Sequence, residues 1–411
     1  MLLLTTLIAT SCLSSSNKEF ELSSDDTIHE FAIDTVYGKR VIFSIDNIEN
    51  QLFNLDSLPI GADTIINKIQ IKNIATMGAW IYHADTLFNY LNDSIDLRSP
   101  FELTVKSMDQ EHKRTYYIDV RVHRQDPDSL SWKLTSPSYT PSSINDASFM
   151  GNLGKKIFTF TSTGKAFTAT SPHGNNWEEI TPTGLPANPV IKNLITQNNQ
   201  LYLHIDNKLY ESIDGVEWTE SKFNTIDIDV LIAVTPTKLM AISTTDGKQH
   251  FFVTDLKEDK WVKGNEVPTD FPKDNISSTF YERTKTTMMM GTPTDGGNTY
   301  SWMSESGMNW VKQESKYTEN DCPFFKYPHL IYYNSQLYAF GGDYSTIYKS
   351  LNGIDWKEIK TKFMLPEDFK DRKQCAITID NENYIWVSWN NSAKHTNEVW
   401  RGRLNKLGFR K

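Results

Sequence analysis

The stretch Leu201-Tyr202-Leu203-His204-Ile205-Asp206-Asn207-Lys208-Leu209-Tyr210-Glu211-Ser212-Ile213-Asp214-Gly215-Val216-Glu217-Trp218 decides the fold. Apolar and polar residues alternate on either side of Asp206-Asn207, a turn signal, and a second turn follows at Asp214-Gly215. That is strand, turn, strand, glycine turn, tryptophan strand. A second copy reads Gln336-Leu337-Tyr338-Ala339-Phe340-Gly341-Gly342, then Ile347-Tyr348-Lys349-Ser350-Leu351-Asn352-Gly353-Ile354-Asp355-Trp356. The two align through the last hairpin. Looser copies keep Ser171, Gly174 and Trp177, or Ser304, Gly307 and Trp310, whereas the copy ending at Trp261 has lost its glycine.

Working outward, Trp132, Trp177, Trp218, Trp261, Trp310 and Trp356 recur at gaps of 45, 41, 43, 49 and 46 residues. That period suits propeller blades of four short strands. Glycine supplies the positive φ of the tight turn. Asp214 and Asn352 cap their turns by accepting backbone N–H groups. The tryptophan ring then packs between blades. Ser212, Gly215, Ser350 and Gly353 therefore read as structural repeat residues.

Five complete blades would end at Trp177, Trp218, Trp261, Trp310 and Trp356. A sixth begins near Gln374 and continues through Trp386, Trp389 and Trp400, which aligns with Tyr348 of a third strand. Leu130-Ser131-Trp132-Lys133-Leu134 looks like an outer strand with no inner strands before it. The expectation is an all-β chain: a six-bladed β-propeller over residues 126–411, closed by pairing of its N- and C-terminal strands so that no sheet edge stays open.

Residues 20–125 lack the repeat but hold alternating runs such as Phe101-Glu102-Leu103-Thr104-Val105. A small antiparallel β-sandwich is expected there, with a helical stretch near 62–73 and a linker at Gln125-Asp126-Pro127-Asp128. The 411 residues carry 11 Trp, 18 Tyr and 21 Phe, the aromatic richness of pleated packing. A net charge of −9 with no basic run argues against nucleic acid.

The N-terminus, Met1-Leu2-Leu3-Leu4-Thr5-Thr6-Leu7-Ile8-Ala9-Thr10-Ser11-Cys12, is too short to span a bilayer and suits a secretion signal. Its end resembles a bacterial lipobox, with Ala9 in place of the usual leucine. This implies a signal peptide at 1–11, lipidation of Cys12 and a tether at 12–19. The expected location is the cell envelope, lipid-anchored and at the outer membrane, with the face left open. Export would permit a disulfide, and whether Cys322 and Cys375 bond or stay free is left open too.

The repeat resembles the Asp-box (BNR-like) repeat, Ser-x-Asp-x-Gly-x-x-Trp, although Ser212–Trp218 and Ser350–Trp356 are one residue shorter between Ser and Gly. The whole layout, with Phe43-Ser44-Ile45-Asp46-Asn47 and Asp93-Ser94-Ile95-Asp96-Leu97, is similar to uncharacterised Bacteroidetes lipoproteins that pair an N-terminal domain of unknown function with a C-terminal propeller. That resemblance implies architecture and location, and no activity.

Asp-box propellers include sialidases, which clasp a carboxylate with three arginines. The propeller segment offers Arg283, Arg372, Arg401, Arg403 and Arg410, two of them on one late strand. No catalytic residue is assigned. His29, His83, His112, His123, His173, His204, His250, His329 and His395 are scattered, without metal-ligand spacing, and no cofactor or metal is expected. The leading expectation is a non-enzymatic module that binds a glycan or an envelope protein through the concave end of the propeller. A sialidase-like or other glycan-processing hydrolase and a structural subunit of an envelope complex are the alternatives. Trp302, Trp386 and Trp389 lie outside the repeat positions, so they are the candidate ligand contacts, weighed against a place in the inter-sheet core.

Overall fold

The computed structural model describes residues 21–124, 126, 128–140, 148–390 and 397–405. The signal peptide and tether, Cys12, His395, Arg410 and part of the 125–128 linker lie outside the described residues. The chain divides into two compact units, the first ending at Asp126.

In the first unit, alternation produces two sheets. One orders Lys39–Ile42, Glu30–Val36, Ile69–Ala75 and Ser94–Ile95. The other orders Ser44–Asp46, Gln51–Phe53, Lys113–Asp119, Phe101–Lys106, Trp80–His83 and Thr86–Leu87. Their inward residues, among them Phe31, Ile71, Leu103, Val105 and Tyr116, form one apolar core. Two expectations are corrected. The segment 62–73 is not one helix: a single turn, Asp63–Ile66, is followed by the strand Ile69–Ala75. Ile69 and Ile71 are buried while Lys72 is exposed, a period of two that the helix reading overlooked. The unit is also not purely antiparallel, because Gln51–Phe53 runs parallel to Lys113–Asp119.

In the second unit, the described strands make six four-stranded antiparallel sheets. Their inner strands are Ser148–Leu153, Ile191–Gln197, Val230–Val234, Ser277–Tyr281, His329–Tyr333 and Cys375–Ile379. In the first five sheets the chain runs from the inner to the outer strand, and each outer strand starts one residue after a repeat tryptophan. The sixth sheet takes its fourth strand from far upstream: Leu130–Ser136 pairs with Val399–Leu404, Trp132 opposite Gly402.

The tryptophan box explains itself at Ser212. Its Oγ accepts the Gly215 N–H at 2.9 Å, and Asp214 Oδ1 accepts the Val216 and Glu217 N–H groups at 2.8 and 2.9 Å. Ser350, Asn352 and Gly353 repeat the arrangement. Gly215 has φ +79°, and a methyl group on it would collide with the Phe158 ring of the preceding sheet. The glycine thus serves both the turn and the close approach of two sheets.

Two kinds of junction follow. In three of the four copies that keep the glycine, the tryptophan N–H closes on its own box: Trp177 on Gly174, Trp218 on Gly215, Trp356 on Gly353; the Trp310 N–H, beside Gly307, is buried without a partner among the described residues. Where the glycine is missing, the N–H reaches back to the loop of the preceding sheet. Trp261 donates to the Phe223 carbonyl at 2.8 Å and Trp132 to that of Met364 at 2.9 Å. At those two junctions a tyrosine of the preceding second strand packs with a phenylalanine instead: Tyr202 in one cluster with Phe223, and Tyr338 stacked on Phe363 at 4.0 Å.

Candidate functional site

Inner strands have a neighbour on one side only, so their free backbone edges need other partners. Polar side chains of the next inner strand provide them. Asn193 donates to the Leu231 carbonyl at 3.3 Å, Thr196 Oγ1 accepts the Asn152 N–H at 3.1 Å, and Ser277 Oγ accepts the Leu330 N–H at 3.0 Å. Asn198 donates to Pro236 O, and Thr378 to Asn152 Oδ1. These bonds join starts to starts and ends to ends, so adjacent inner strands run in the same sense.

Between the six inner strands lies a cavity of about 1420 Å³. One mouth, at the strand starts, carries Lys192, Asp229, Lys273, Asp274 and Lys326; the other carries Asn198, Asn199 and Asn381. Lys192 bonds Asn207 and Asp229 accepts from Thr244. The wall between is uncharged. Its amides and hydroxyls include those just named, which tie strands together, and others with no side-chain partner among the described residues, such as Gln249, Ser278, Thr279 and Gln374. These others can hydrogen-bond a ligand without releasing the fold.

Two histidines reach this wall. His204 is 1% exposed, bonds the Ile228 carbonyl at 2.9 Å, and is pushed down to about 4 by burial. His329 Nε2 lies 3.3 Å from Cys375 Sγ and 3.4 Å from the Tyr344 hydroxyl. Burial holds that imidazole at about 4 and pushes the Cys375 thiol far up. The couple is neutral near pH 7 and carries little thiolate, so it suits a packed hydrogen-bonded trio better than a nucleophile. Cys322 and Cys375 are both free and buried.

The three tryptophans named as ligand contacts are placed in the core. Trp302 is 4% exposed and packs on Phe271 at 4.9 Å; Trp389 is 1% exposed between Tyr344 and Phe369. Trp386 is fully buried, donates to Asp380 at 2.7 Å and lies under Gly174, as Phe158 lies under Gly215. Burial of the rings between sheets leaves no face for a ligand. The polar residues of the cavity wall carried no sequence signal, because strand order decides which polar residues face the cavity.

Among the described residues no arginine lines the cavity. Arg372 is instead buried against Glu398 at 2.6 Å, while Arg401 and Arg403 both flank Tyr384. The described arginines therefore assemble no three-arginine clasp at the cavity. Among the described residues no group of three or more His, Cys, Asp or Glu side chains is placed to hold a metal ion, and no helix is long and apolar enough to cross a membrane.

Solved structures similar to this chain include a luciferin-regenerating enzyme (10% identity over 68% of this chain and 97% of that one, TM-score 0.43). Others are the nidogen/laminin complex (10%, 66% and 92%, 0.39) and a thermostable family-43 glycoside hydrolase (10%, 67% and 92%, 0.35). They assign no activity to it. No curated protein matches. Residues 13–120 match the DUF6242 N-terminal domain, a domain of unknown function, and residues 126–411 match the DUF6242 beta propeller domain, so the chain belongs to the DUF6242 family.

Proposed function

We propose that residues 126–411 form a closed six-bladed propeller whose central cavity binds an uncharged polar ligand, with a glycan as the best chemical fit. Closure is supported by the packing. The apolar clusters join consecutive sheets, and one of them joins the last to the first through Trp386, Val399, Ile157 and Phe167. Six four-stranded sheets and six such junctions suit a ring.

The observation that carries the binding reading is the cavity wall. Gln249, Ser278, Thr279 and Gln374 offer donors and acceptors that the fold does not use. Neutral amides and hydroxyls around a pre-formed concavity match the hydroxyl-rich surface of a sugar. A glycan array followed by calorimetry on the selected glycan tests this. Gln374→Ala and Ser278→Ala each weaken binding about tenfold at unchanged Tm, the loss of roughly one good hydrogen bond. Full affinity in both variants would move the ligand elsewhere.

The chain is further proposed to be an exported envelope lipoprotein, anchored through Cys12 at the outer membrane. The apolar run ending at Cys12 and the Ser-rich segment after it support this reading. Palmitate labelling that persists in Cys12→Ala would reject it.

A further inference from the structure

Three cations share one face of the sixth sheet, away from the cavity wall. Arg401 and Arg403 are two residues apart on the strand Val399–Leu404, so both point to the same side. Lys133 stands directly opposite Arg401 on the outer strand, and Ser131 opposite Arg403. Directly opposed residues hold their Cβ atoms about 5 Å apart, so Lys133 rises from the same face of the sheet as the two arginines.

One aromatic ring fixes both arginines. The Arg401 and Arg403 Cζ atoms lie 4.7 and 4.8 Å from the centroid of Tyr384, and Arg403 Nη1 donates to the Tyr384 hydroxyl at 3.3 Å. Stacking explains the orientation of each guanidinium. It does not explain why three like charges stand together. None of the ion pairs among the described residues uses Lys133, Arg401 or Arg403. Asp380, four residues before Tyr384, is fully engaged: it accepts Ser171 Oγ, the Trp386 indole and the N–H groups of Glu382 and Tyr384. Arg401 Nη1 is buried and has no hydrogen-bond partner. The chain as a whole is acidic, at −9, so this cluster is no by-product of a basic surface.

Clustered cations without a counterion repel one another, and an oxyanion between them would turn that cost into attraction. A guanidinium fork also matches the spacing of phosphate and sulfate oxygens. We propose that Lys133, Arg401 and Arg403, held by Tyr384, form a binding site for a phosphate or sulfate monoester, separate from the central cavity.

The test uses the full chain and inorganic phosphate and sulfate as probes, followed by equilibrium dialysis at constant ionic strength set with NaCl. The expected result is one saturable site for at least one of the two anions. Arg403→Gln and Lys133→Gln, both at exposed positions, weaken it about tenfold or more, the usual scale for one charge-assisted contact, with unchanged Tm. Lys273→Gln and Lys326→Gln, at the cavity mouth, leave it unchanged. Absence of saturable binding for both anions overturns the proposal. So does binding that survives in Arg403→Gln and Lys133→Gln but is lost in the cavity-mouth variants. Neither failure touches the glycan reading, which rests on different residues.

Discussion

The indole N–H of Trp132 donates to the backbone carbonyl of Met364 at 2.9 Å, joining positions 232 residues apart. The same ring packs edge-on to Phe369 at 5.1 Å. An upstream strand is thereby fastened to the loop ahead of the sixth sheet.

Trp132→Phe keeps most of the apolar contact and removes the donor, so it costs about 1 kcal/mol. Trp132→Ala removes both, and for a half-buried ring about 2–3 kcal/mol is expected. Urea unfolding of both variants measures the difference. Equal, negligible losses would show that the seam does not depend on this residue.

Gly215 and Gly353 have nearly the same φ, +79° and +76°, so the backbone strain of an alanine is alike at both. What the new methyl meets differs: the ring of fully buried Phe158 at Gly215, and the flexible end of Met288 at Gly353. Gly215→Ala is therefore the more damaging, by about 1–2 kcal/mol, and Phe158→Leu recovers part of that loss in the double variant. Strict additivity in the double-mutant cycle would refute the contact.

His204 titrates near 4 when folded, well below its ordinary value, chiefly because of burial. Between that point and about 6.5 the unfolded chain binds the extra proton and the folded one does not. Stability therefore falls as pH drops from about 6.5 towards 4, by roughly 3 kcal/mol across the whole window for this one group. Lys192, Asp206 and Asp229 are the charged groups acting on it. Denaturant midpoints at pH 7 and pH 5 should separate further in the native protein than in His204→Gln; parallel curves would acquit His204.

Arg372 and Glu398 are paired at 2.6 Å with side chains only 5% and 12% exposed, and Glu398 also accepts the Trp400 indole at 2.9 Å. Glu398→Ala strands a buried guanidinium and should cost about 3–5 kcal/mol. Replacing both, Arg372→Met with Glu398→Leu, leaves no stranded charge and is the milder change. Thermal unfolding that ranks the double variant as the weaker one would contradict this.

The sequence carries its architecture unevenly. Repetition exposes the boxes, because Ser212–Trp218 and Ser350–Trp356 repeat one set of turn bonds and each copy must satisfy the same backbone groups. Aligning Trp400 with Tyr348 was enough to place it on a third strand, where the structure has it. Junctions without the glycine were hidden, since Trp261 and Trp132 bond to a neighbouring sheet rather than to their own turn. Trp386 stands out by lying outside the repeat positions, yet its place under Gly174 depends on which sheet lies beside the sixth. The cavity residues were the least legible. Gln249, Ser278 and Gln374 look like ordinary strand and hairpin polars until three-dimensional order brings them together.

The pairing of Leu130–Ser136 with Val399–Leu404 also sets an order of events during synthesis. The first partner leaves the ribosome well before the second, because the strands of the other five sheets lie between them in the chain. Until then Leu130–Ser136 remains an unpaired strand with nothing to join, a state open to wrong partners. The five sheets made from contiguous chain can form as they emerge, since their contacts are local, whereas the sixth waits for a contact of high sequence separation. A chain cut short before Val399 would leave that first strand without its mate, however well the other sheets had formed.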